Sequence, residues 1–152
     1  AADGGGRDPE RTPMQWTPGR NAGFSDATTT WLPVSDDYPT RNVQSESRDK
    51  YSFLSLYQKL GKLRNRSEAL RVGSFELLQL DNKSVLGFVR TKGHKKYVTL
   101  INFSDASVVI ALPATVKLKS LEVSSAADSS LKKAKKGTLS LYAHEAAVFS
   151  AQ

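Results

Sequence analysis

The sequence has no cysteine, only two histidines and no long apolar run, and each shortage excludes a class of function. Without cysteine the chain has no disulfide, thiolate nucleophile or thiolate metal ligand. His94 and His144 lack the paired spacing of a zinc site, so we expect no metal and no cofactor. No run reaches the roughly 18 apolar residues of a membrane span, and no signal-peptide pattern occurs.

The charge is distributed unevenly along the chain. Residues 1–60 carry 7 Lys/Arg and 8 Asp/Glu, whereas residues 61–152 carry 15 and 7. The basic clusters Lys92–Lys96 and Lys132–Lys136 each contain or adjoin a glycine, which is typical of turns between strands. Such clusters can attract phosphate or acidic lipid. Because no aromatics interleave the second cluster as a base-stacking platform would require, we interpret both as solvated turns and expect no nucleic acid partner.

The first third of the chain consists mostly of turn-forming sequence. Residues 1–6, AADGGG, indicate a flexible start or linker, and turn dipeptides interrupt the chain up to residue 47. Four aromatic side chains lie in this stretch: Trp16, Phe24, Trp31 and Tyr38. Because large apolar rings are costly to leave in water, at about 25 cal/mol per Å², we expect them to pack on a surface that forty irregular residues cannot supply.

A helix is predicted over residues 48–66. The spacing of an amphipathic helix that lies on a core is followed by Phe53, Leu56, Tyr57, Leu60 and either Leu63 or Arg64. Two residues at its start, Ser47 and Asp49, are expected to provide the N-terminal cap and a favourable charge.

From Gly73 onward the pattern predicts β-strands. The predicted strands are Phe75–Leu80, Val85–Thr91, Tyr97–Phe103, Ser107–Leu112, Val116–Val123, Thr138–Tyr142 and Ala146–Ser150. Seven or eight strands without an intervening helix favour a mainly β fold, an antiparallel β-sandwich with hairpin and Greek-key connections.

Several motifs resemble one enzyme family. The segments RDPERTPMQW (7–16), NAGFS (21–25) and WLPV (31–34) closely resemble the α-glucosidases of the α-amylase superfamily, glycoside hydrolase family 13. The pattern is most similar to oligo-1,6-glucosidases and animal maltases. Later segments extend the resemblance to the family's last barrel helix and C-terminal β domain: YSF (51–53), LYQKL (56–60), INFS (101–104) and HEA (144–146).

The resemblance implies a domain organisation. Residues 7–70 would be the C-terminal end of a (β/α)8 barrel, with an active-site rim loop and the final helix, and residues 71–152 the antiparallel β-sandwich domain. The rest of the barrel would be the partner of this chain, and the β domain would stabilise it. The full-length protein would hydrolyse terminal α-glucosidic bonds of maltose, sucrose or short oligosaccharides with retention.

The resemblance assigns substrate binding, but no catalytic residue, to this chain. The family's nucleophile and acid/base precede the matching stretch, and Asp8 and Glu10, beside two arginines, are expected to have lowered pKa values that do not suit a general acid. We therefore expect this chain alone to be inactive. Arg7 matches the family's arginine that reaches the non-reducing sugar, and Arg11 matches a second arginine nearer the aglycone; a planar guanidinium suits vicinal hydroxyls and carboxylates.

Three glycosylation sequons point to a secreted or lumenal protein: Asn65, Asn82 and Asn102 each start one. Membrane association would come only from segments outside this sequence. Trp16 and Trp31 are interpreted as anchors of the loop rather than as sugar platforms.

Two alternatives remain open at the sequence level. The heavy subunits of animal amino-acid transporters keep the same barrel and β domain without enzymatic activity, so the chain could come from such an ectodomain. A carbohydrate-binding β module is a third reading, although its aromatics mostly occupy alternating, core-like positions.

Overall fold

The computed structural model describes residue 6, residues 8–127, residue 131 and residues 137–152. Within it the chain divides into two compact units, one up to Ser55 and one from Leu56 to Gln152. Of the expected flexible start, only Gly6 lies within the described residues. The basic cluster Lys132–Lys136 lies outside them.

The first unit is largely irregular. Two 3-10 helices span Asp8–Arg11 and Arg20–Gly23, and one helix, α1, spans Val43–Arg48. Helix α1 lies mostly where the sequence predicted turns. Its start is explained by Asn42, whose buried side-chain oxygen accepts the amide of Ser45 at 2.9 Å.

Helix α2 spans Phe53–Arg66 and therefore begins five residues later than predicted. The expected cap was wrong: Ser52 accepts the amide of Ser55 at 3.1 Å, and the carboxylate of Glu46 accepts that of Leu54 at 2.9 Å. The carboxylate next to the first free amides also complements the helix dipole. A side chain eight residues upstream thus completes the cap, which local spacing does not show.

The second unit contains the rest of α2, a short helix α3 and seven strands among the described residues. Helix α3, which the sequence did not predict, spans Glu68–Val72. The strands are β1 (Ser74–Leu77), β2 (Val85–Lys92), β3 (Lys95–Asn102), β4 (Val108–Ala111), β5 (Leu118–Ser124), β6 (Thr138–Leu141) and β7 (Ala146–Ala151). Their positions follow the predicted runs closely.

All strand pairs are antiparallel, which confirms the predicted mainly β fold. Strands β1-β2-β3-β7-β5 form a five-stranded sheet in that order, and β4 pairs with β6 in a second sheet. The chain passes from one sheet to the other between β3 and β4, and again at each of the next three connections. The Greek-key description of these connections stays a prediction.

The main core lies between the two sheets. It joins Val98, Leu100 and Phe149 of the large sheet to Ile110 and Leu141 of the small one, all of them buried. A second cluster lies on the opposite face of the large sheet, where Leu63 of α2 packs with Val123 and Val148. The large sheet is therefore covered on both faces along part of its width, and we call the face beneath α2 its outer face.

Part of the outer face remains uncovered near β1 and β2. Phe75, Leu77 and Leu86 are exposed there, and the rings of Phe75 and Phe88 lie 5.1 Å apart between centroids. The part of α2 in this unit is likewise divided, because Leu63 is buried whereas Tyr57 is 78% exposed. This unit thus keeps apolar surface beyond its own core.

Candidate functional site

The RTPMQW segment is closed against the NAGFS segment by backbone hydrogen bonds. The carbonyl oxygen of Ala22 accepts the amide of Trp16 at 2.8 Å and that of Thr17 at 2.9 Å. The amide of Phe24 in turn donates to the carbonyl of Asn21 at 2.9 Å. The two sequence motifs therefore form one structure, a closed loop within the first unit.

The turn inside this loop has three consecutive residues with positive φ. Asn21, Ala22 and Gly23 have φ values of 50°, 55° and 67°. For a fully buried alanine this is a sparsely populated conformation. The side chain of Asn21 offsets part of the strain, since its amide donates to the carbonyls of Ser25 at 3.0 Å and Ala27 at 2.7 Å.

Gln15 fixes the other side of the loop. Its side-chain amide donates to the Asp37 carboxylate at 2.9 Å and to the carbonyl of Arg41 at 2.7 Å. Its own carbonyl accepts the amide of Val43 at 2.9 Å, and the carbonyl of Trp16 accepts the next amide, at 3.0 Å. Gln15 and Trp16 thus satisfy amides of the first turn of α1, which otherwise lack partners.

The carboxylate of Asp37 interacts with three neighbouring side chains. The hydroxyl of Ser35 donates to it at 2.7 Å, the amide of Gln15 at 2.9 Å, and the guanidinium of Arg41 lies 3.6 Å away. Hydrogen bonds to the charged form, chiefly the one from Ser35, lower the pKa of Asp37. Asp37 is therefore a structural anion that holds the loop.

A cleft of about 200 Å³ opens beside this loop. Its lining combines one guanidinium, several hydroxyls and two aromatic rings: Arg11, Pro13, Phe24, Ser25, Thr29, Thr30, Trp31 and Leu32. Guanidinium and hydroxyl donors beside aromatic faces suit a polyhydroxylated ligand. The predicted site residue Arg11 lies here, at the end of the first 3-10 helix and exposed.

The remaining predictions about the site concern Arg7, the carboxylates near Arg11 and the two tryptophans. Arg7 lies outside the described residues. Arg11 forms no ion pair with Asp8 or Glu10 among the described residues, so the expected pairing of these carboxylates is not seen there. Trp16 and Trp31 are 48% and 80% exposed. That these two side chains anchor the loop stays a prediction.

Of the three sequon asparagines, Asn102 is incompatible with a glycan in this fold. It is 1% exposed, and its side-chain amide donates to the carbonyls of Ala106 at 2.8 Å and Tyr142 at 2.7 Å. Glycosylation at Asn102 is therefore corrected to a structural role. Asn65 is exposed and Asn82 half-buried, and glycosylation there stays a prediction.

Sequence reasoning missed a buried carboxylate beside Asn102. Glu145 is 1% exposed; it accepts the hydroxyl of Ser124 at 2.6 Å and the amide of Tyr142 at 2.9 Å. Its backbone carbonyl accepts the amide of Asn102 at 2.9 Å. The only signal for this network was the INFS and HEA motifs. It ties together three loops at one end of the second unit.

Two classes of site are not found in the described part of the chain. No group of three or more His, Asp or Glu side chains is arranged to hold a metal ion there. None of the helices described is long and apolar enough to cross a membrane.

Comparison with known proteins agrees with these motifs. Residues 1–73 match the family described as the α-amylase catalytic domain. The oligo-1,6-glucosidase of Parageobacillus thermoglucosidasius is 36% identical over 118 residues, covering 78% of this chain and 21% of that protein. Maltase 1 of Drosophila virilis is 44% identical over 114 residues, covering 70% and 18%. The chain thus spans about a fifth of the length of these relatives.

One relative is named as a transporter subunit and not as a glucosidase. An amino acid transporter heavy chain of Rattus norvegicus is 40% identical over 107 residues, covering 70% of this chain and 16% of that protein.

Solved structures show the same similarity. Trehalulose synthase MutB of Pseudomonas mesoacidophila MX-45 has a TM-score of 0.86 and 27% identity, covering 96% of this chain and 26% of the synthase. Isomaltulose synthase of Klebsiella sp. LX3 has a TM-score of 0.85 and 28% identity, with the same coverage. These matches confirm the resemblance: the chain belongs to the α-amylase family and is similar there to α-glucosidases and oligo-1,6-glucosidases.

Proposed function

We propose that this chain is the C-terminal portion of an α-glucosidase that hydrolyses terminal α-glucosidic bonds of maltose, sucrose or short oligosaccharides with retention. The observation that carries the proposal is the loop closed by Ala22, which joins the RTPMQW and NAGFS motifs and has Arg11 at the edge of its cleft. The family match over residues 1–73 and the α-glucosidase relatives support it.

In this proposal the chain binds substrate and does not perform the chemistry. Retaining hydrolysis needs two carboxyl groups about 5–5.5 Å apart, one as nucleophile and one as acid/base. We assign both to the preceding part of the longer protein. Arg11 would donate to sugar hydroxyls on the aglycone side, and Arg7 to the non-reducing sugar and a barrel aspartate.

The domain boundaries proposed from the sequence, 7–70 and 71–152, give the β domain a stabilising role. The uncovered apolar side chains Phe75, Leu77 and Leu86 support this role, because contiguous exposed apolar surface marks a contact with further protein. We propose that they pack against the rest of the barrel. The exposed rings of Trp16 and Trp31 are proposed to do the same.

The first experiment measures glucose release from maltose by the 152-residue chain alone. We expect none, because the proposed carboxyl pair is elsewhere. Turnover that survives repurification and is lost when Arg11 is replaced would overturn the assignment of the chemistry to the rest of the protein.

The second experiment grafts the chain onto a known enzyme. Replacing the matching stretch of the P. thermoglucosidasius oligo-1,6-glucosidase with this chain should give a chimera that releases glucose from an α-1,6-linked substrate. In that chimera Arg11→Ala should raise KM about tenfold or more, since loss of a hydrogen bond from a charged group costs about 1.5–3 kcal/mol. Arg64→Ala, an exposed arginine of α2, is the control and should leave KM unchanged. A folded but inactive chimera counts against the proposal.

A second candidate is a non-enzymatic ectodomain, favoured by the similarity to the rat transporter heavy chain. That protein is as similar to this chain as several of the glucosidases are. Such a chain has no need of a substrate-facing Arg11. A chimera that folds but releases no glucose would favour this candidate over the enzyme.

We also propose that the protein is secreted and glycosylated. A salivary α-glucosidase of Aedes aegypti is 41% identical over 107 residues, and two sequons start at the exposed Asn65 and the half-buried Asn82. Expression through an insect secretory pathway, followed by glycopeptide mass spectrometry, should find glycans at these two positions. Unmodified peptides at both would contradict the proposal.

A further inference from the structure

We propose that the second unit binds an acidic polysaccharide chain through a row of lysines at one end of its large sheet. The lysine row consists of Lys92, Lys95, Lys117 and Lys119, all of them exposed. Although the sequence indicated that the cluster Lys92–Lys96 is a solvated turn, the strand register brings it together with lysines that are distant in sequence. This surface lies in the second unit and does not depend on the proposed hydrolase function.

The register arranges the row across four neighbouring strands. Lys92 of β2 pairs with Lys95 of β3, and the pairing of β3 with β7 continues to Gln152 beside Lys95. The amide of Gln152 donates to the carbonyl of Lys117 at 2.9 Å, which brings in the start of β5. Since neighbouring strands are about 4.8 Å apart, the row spans about 14 Å.

Alternation along the strands places these lysines on one face. Val89 and Val98 point into the main core, so Lys92 and Lys95, each three residues away, belong to the outer face. Leu118 packs against the same core, which puts its neighbour Lys117 on the outer face as well, while Lys119 lies at the register shift between Leu118 and Ser120. Lys92, Lys95 and Lys117 therefore lie on one face of the sheet.

No ion pair between a side-chain carboxylate and the row lysines occurs in the described part of the chain. Glu76 lies on the edge strand β1 opposite Val89, on the core-facing side of the sheet, and Glu145 is buried. Glu122, which accepts the hydroxyl of Ser120 at 2.8 Å, is paired with Arg66. A row of like charges concentrates anions and polyanions near its surface.

The shape and composition of the row favour a flexible acidic glycan. Single-stranded nucleic acid is held by aromatic stacking, yet the nearest aromatic of that face, Tyr97, packs in the cluster beneath α2. Double-stranded DNA is read by an element that enters a groove, which the end of a flat sheet does not supply. A bilayer favours apolar side chains interspersed with the charges along their whole length, whereas the exposed Phe75 and Leu77 lie on β1, beside Lys92 only and at the opposite edge of the sheet from Lys117. Lysines act as point charges that suit evenly spaced carboxylates or sulfates.

Titration calorimetry of the full chain with heparin, a sulfated glycan, tests the proposal. The row variant Lys92→Gln/Lys95→Gln/Lys117→Gln should bind at least tenfold more weakly, and the slope of log affinity against log salt should fall by about three, one for each lost contact. The matched control Lys62→Gln/Arg64→Gln/Lys83→Gln removes the same charge from other exposed positions and should keep the slope. If the triple variant does not fold, Lys95→Gln alone should lower the slope by about one.

Several outcomes would overturn the proposal. One is an equal loss in the row variant and the control, which indicates net charge alone. Another is a loss confined to Lys132→Gln/Lys133→Gln/Lys135→Gln, which moves binding to the other basic cluster. Tighter binding to phosphatidylserine vesicles or to single-stranded DNA than to heparin also rejects the glycan as partner.

Discussion

The amide of Trp16 donates to the carbonyl oxygen of Ala22 at 2.8 Å, and the amide of Thr17 donates to the same oxygen. This shared acceptor explains why RTPMQW and NAGFS occur together: one motif supplies the donors and the other the left-handed turn that points the acceptor at them. The motifs are thus parts of one closed loop. Arg11 is carried by this loop without contributing to its closure.

The loop predicts that Gly23 tolerates no side chain. Gly23 has φ +67°, and a Cβ there would lie 2.5 Å from Oγ1 of Thr17. Gly23→Ala should destabilise the first unit by about 3 kcal/mol, combining the left-handed cost with steric overlap. Hydrogen exchange of the Trp16 and Thr17 amides measures this loss directly.

Two variants separate the clash from the backbone cost. Gly93 also has positive φ, but a Cβ there meets nothing within 4 Å, so Gly93→Ala should cost the second unit only about 1 kcal/mol. Adding Thr17→Ala to Gly23→Ala should restore part of the stability, because it removes the Oγ1 atom that the new Cβ would overlap. Equal losses at Gly23 and Gly93 would contradict the steric argument.

Alanine substitutions at the two helix N-caps, Ser67 and Asn42, should have different effects on the free energy of unfolding. Ser67 precedes α3 and is 1% exposed, but its hydroxyl has no hydrogen-bond partner among the described residues. Ser67→Ala should therefore leave the free energy of unfolding unchanged or raise it slightly. Asn42→Ala removes a working cap and should cost about 1–2 kcal/mol. A loss above about 1 kcal/mol at Ser67 in chemical denaturation would contradict this.

The side chain of the buried Asn102 should stabilise the fold far more than that of the half-buried sequon residue Asn82. Asn102→Ala leaves the carbonyls of Ala106 and Tyr142 without their donors and should cost about 3 kcal/mol, at about 1–3 kcal/mol for each unsatisfied group. Asn82→Ala removes one acceptor, for the amide of Ser84, and should cost about 1 kcal/mol. Urea unfolding of both variants compares them, and equal costs would refute the structural role of Asn102.

The lowered pKa of Asp37 predicts an acid-sensitive loop. Because the folded pKa lies below the usual 3.8, the ionised carboxylate stabilises the first unit above about pH 4. This stabilisation is lost as the pH falls towards the folded pKa, and Asp37→Asn should remove it. Carboxyl NMR should show Ser35→Ala raising the pKa of Asp37 more than Arg41→Gln does. A wild-type midpoint at or above 3.8 would contradict the hydrogen-bond explanation.

The strands were predictable because each one repeats the same local pattern. Alternation with turn residues at both ends located β2 and β6 to within a residue of the structure. Helices α1 and α3 were missed because they have five or six residues and no apolar periodicity. The cap of α2 was misplaced because the carboxylate of Glu46 reaches it from a different helix.

The residues of the candidate site were also only partly predictable from the sequence. Family motifs drew attention to Arg11, and the structure places it on the cleft. No local rule indicated that Asn102 would be buried, since its sequon reads like those of Asn65 and Asn82. The sequence also did not indicate the lysine row, because Lys92 and Lys117 are brought near each other only by the pairing of β3, β7 and β5.

The sequence alone determined the mainly β fold, the positions of its strands and the α-amylase family. These depend on the alternation of apolar and polar residues and on short motifs, both of which can be read directly from the order of residues. Tertiary structure decided the shared acceptor at Ala22, the buried partnership of Asn102 and Glu145 and the clustering of lysines at one sheet end. The physical reason is that hydrogen bonds and charge fields act between atoms that are close in space. The sequence separation between those atoms does not limit them.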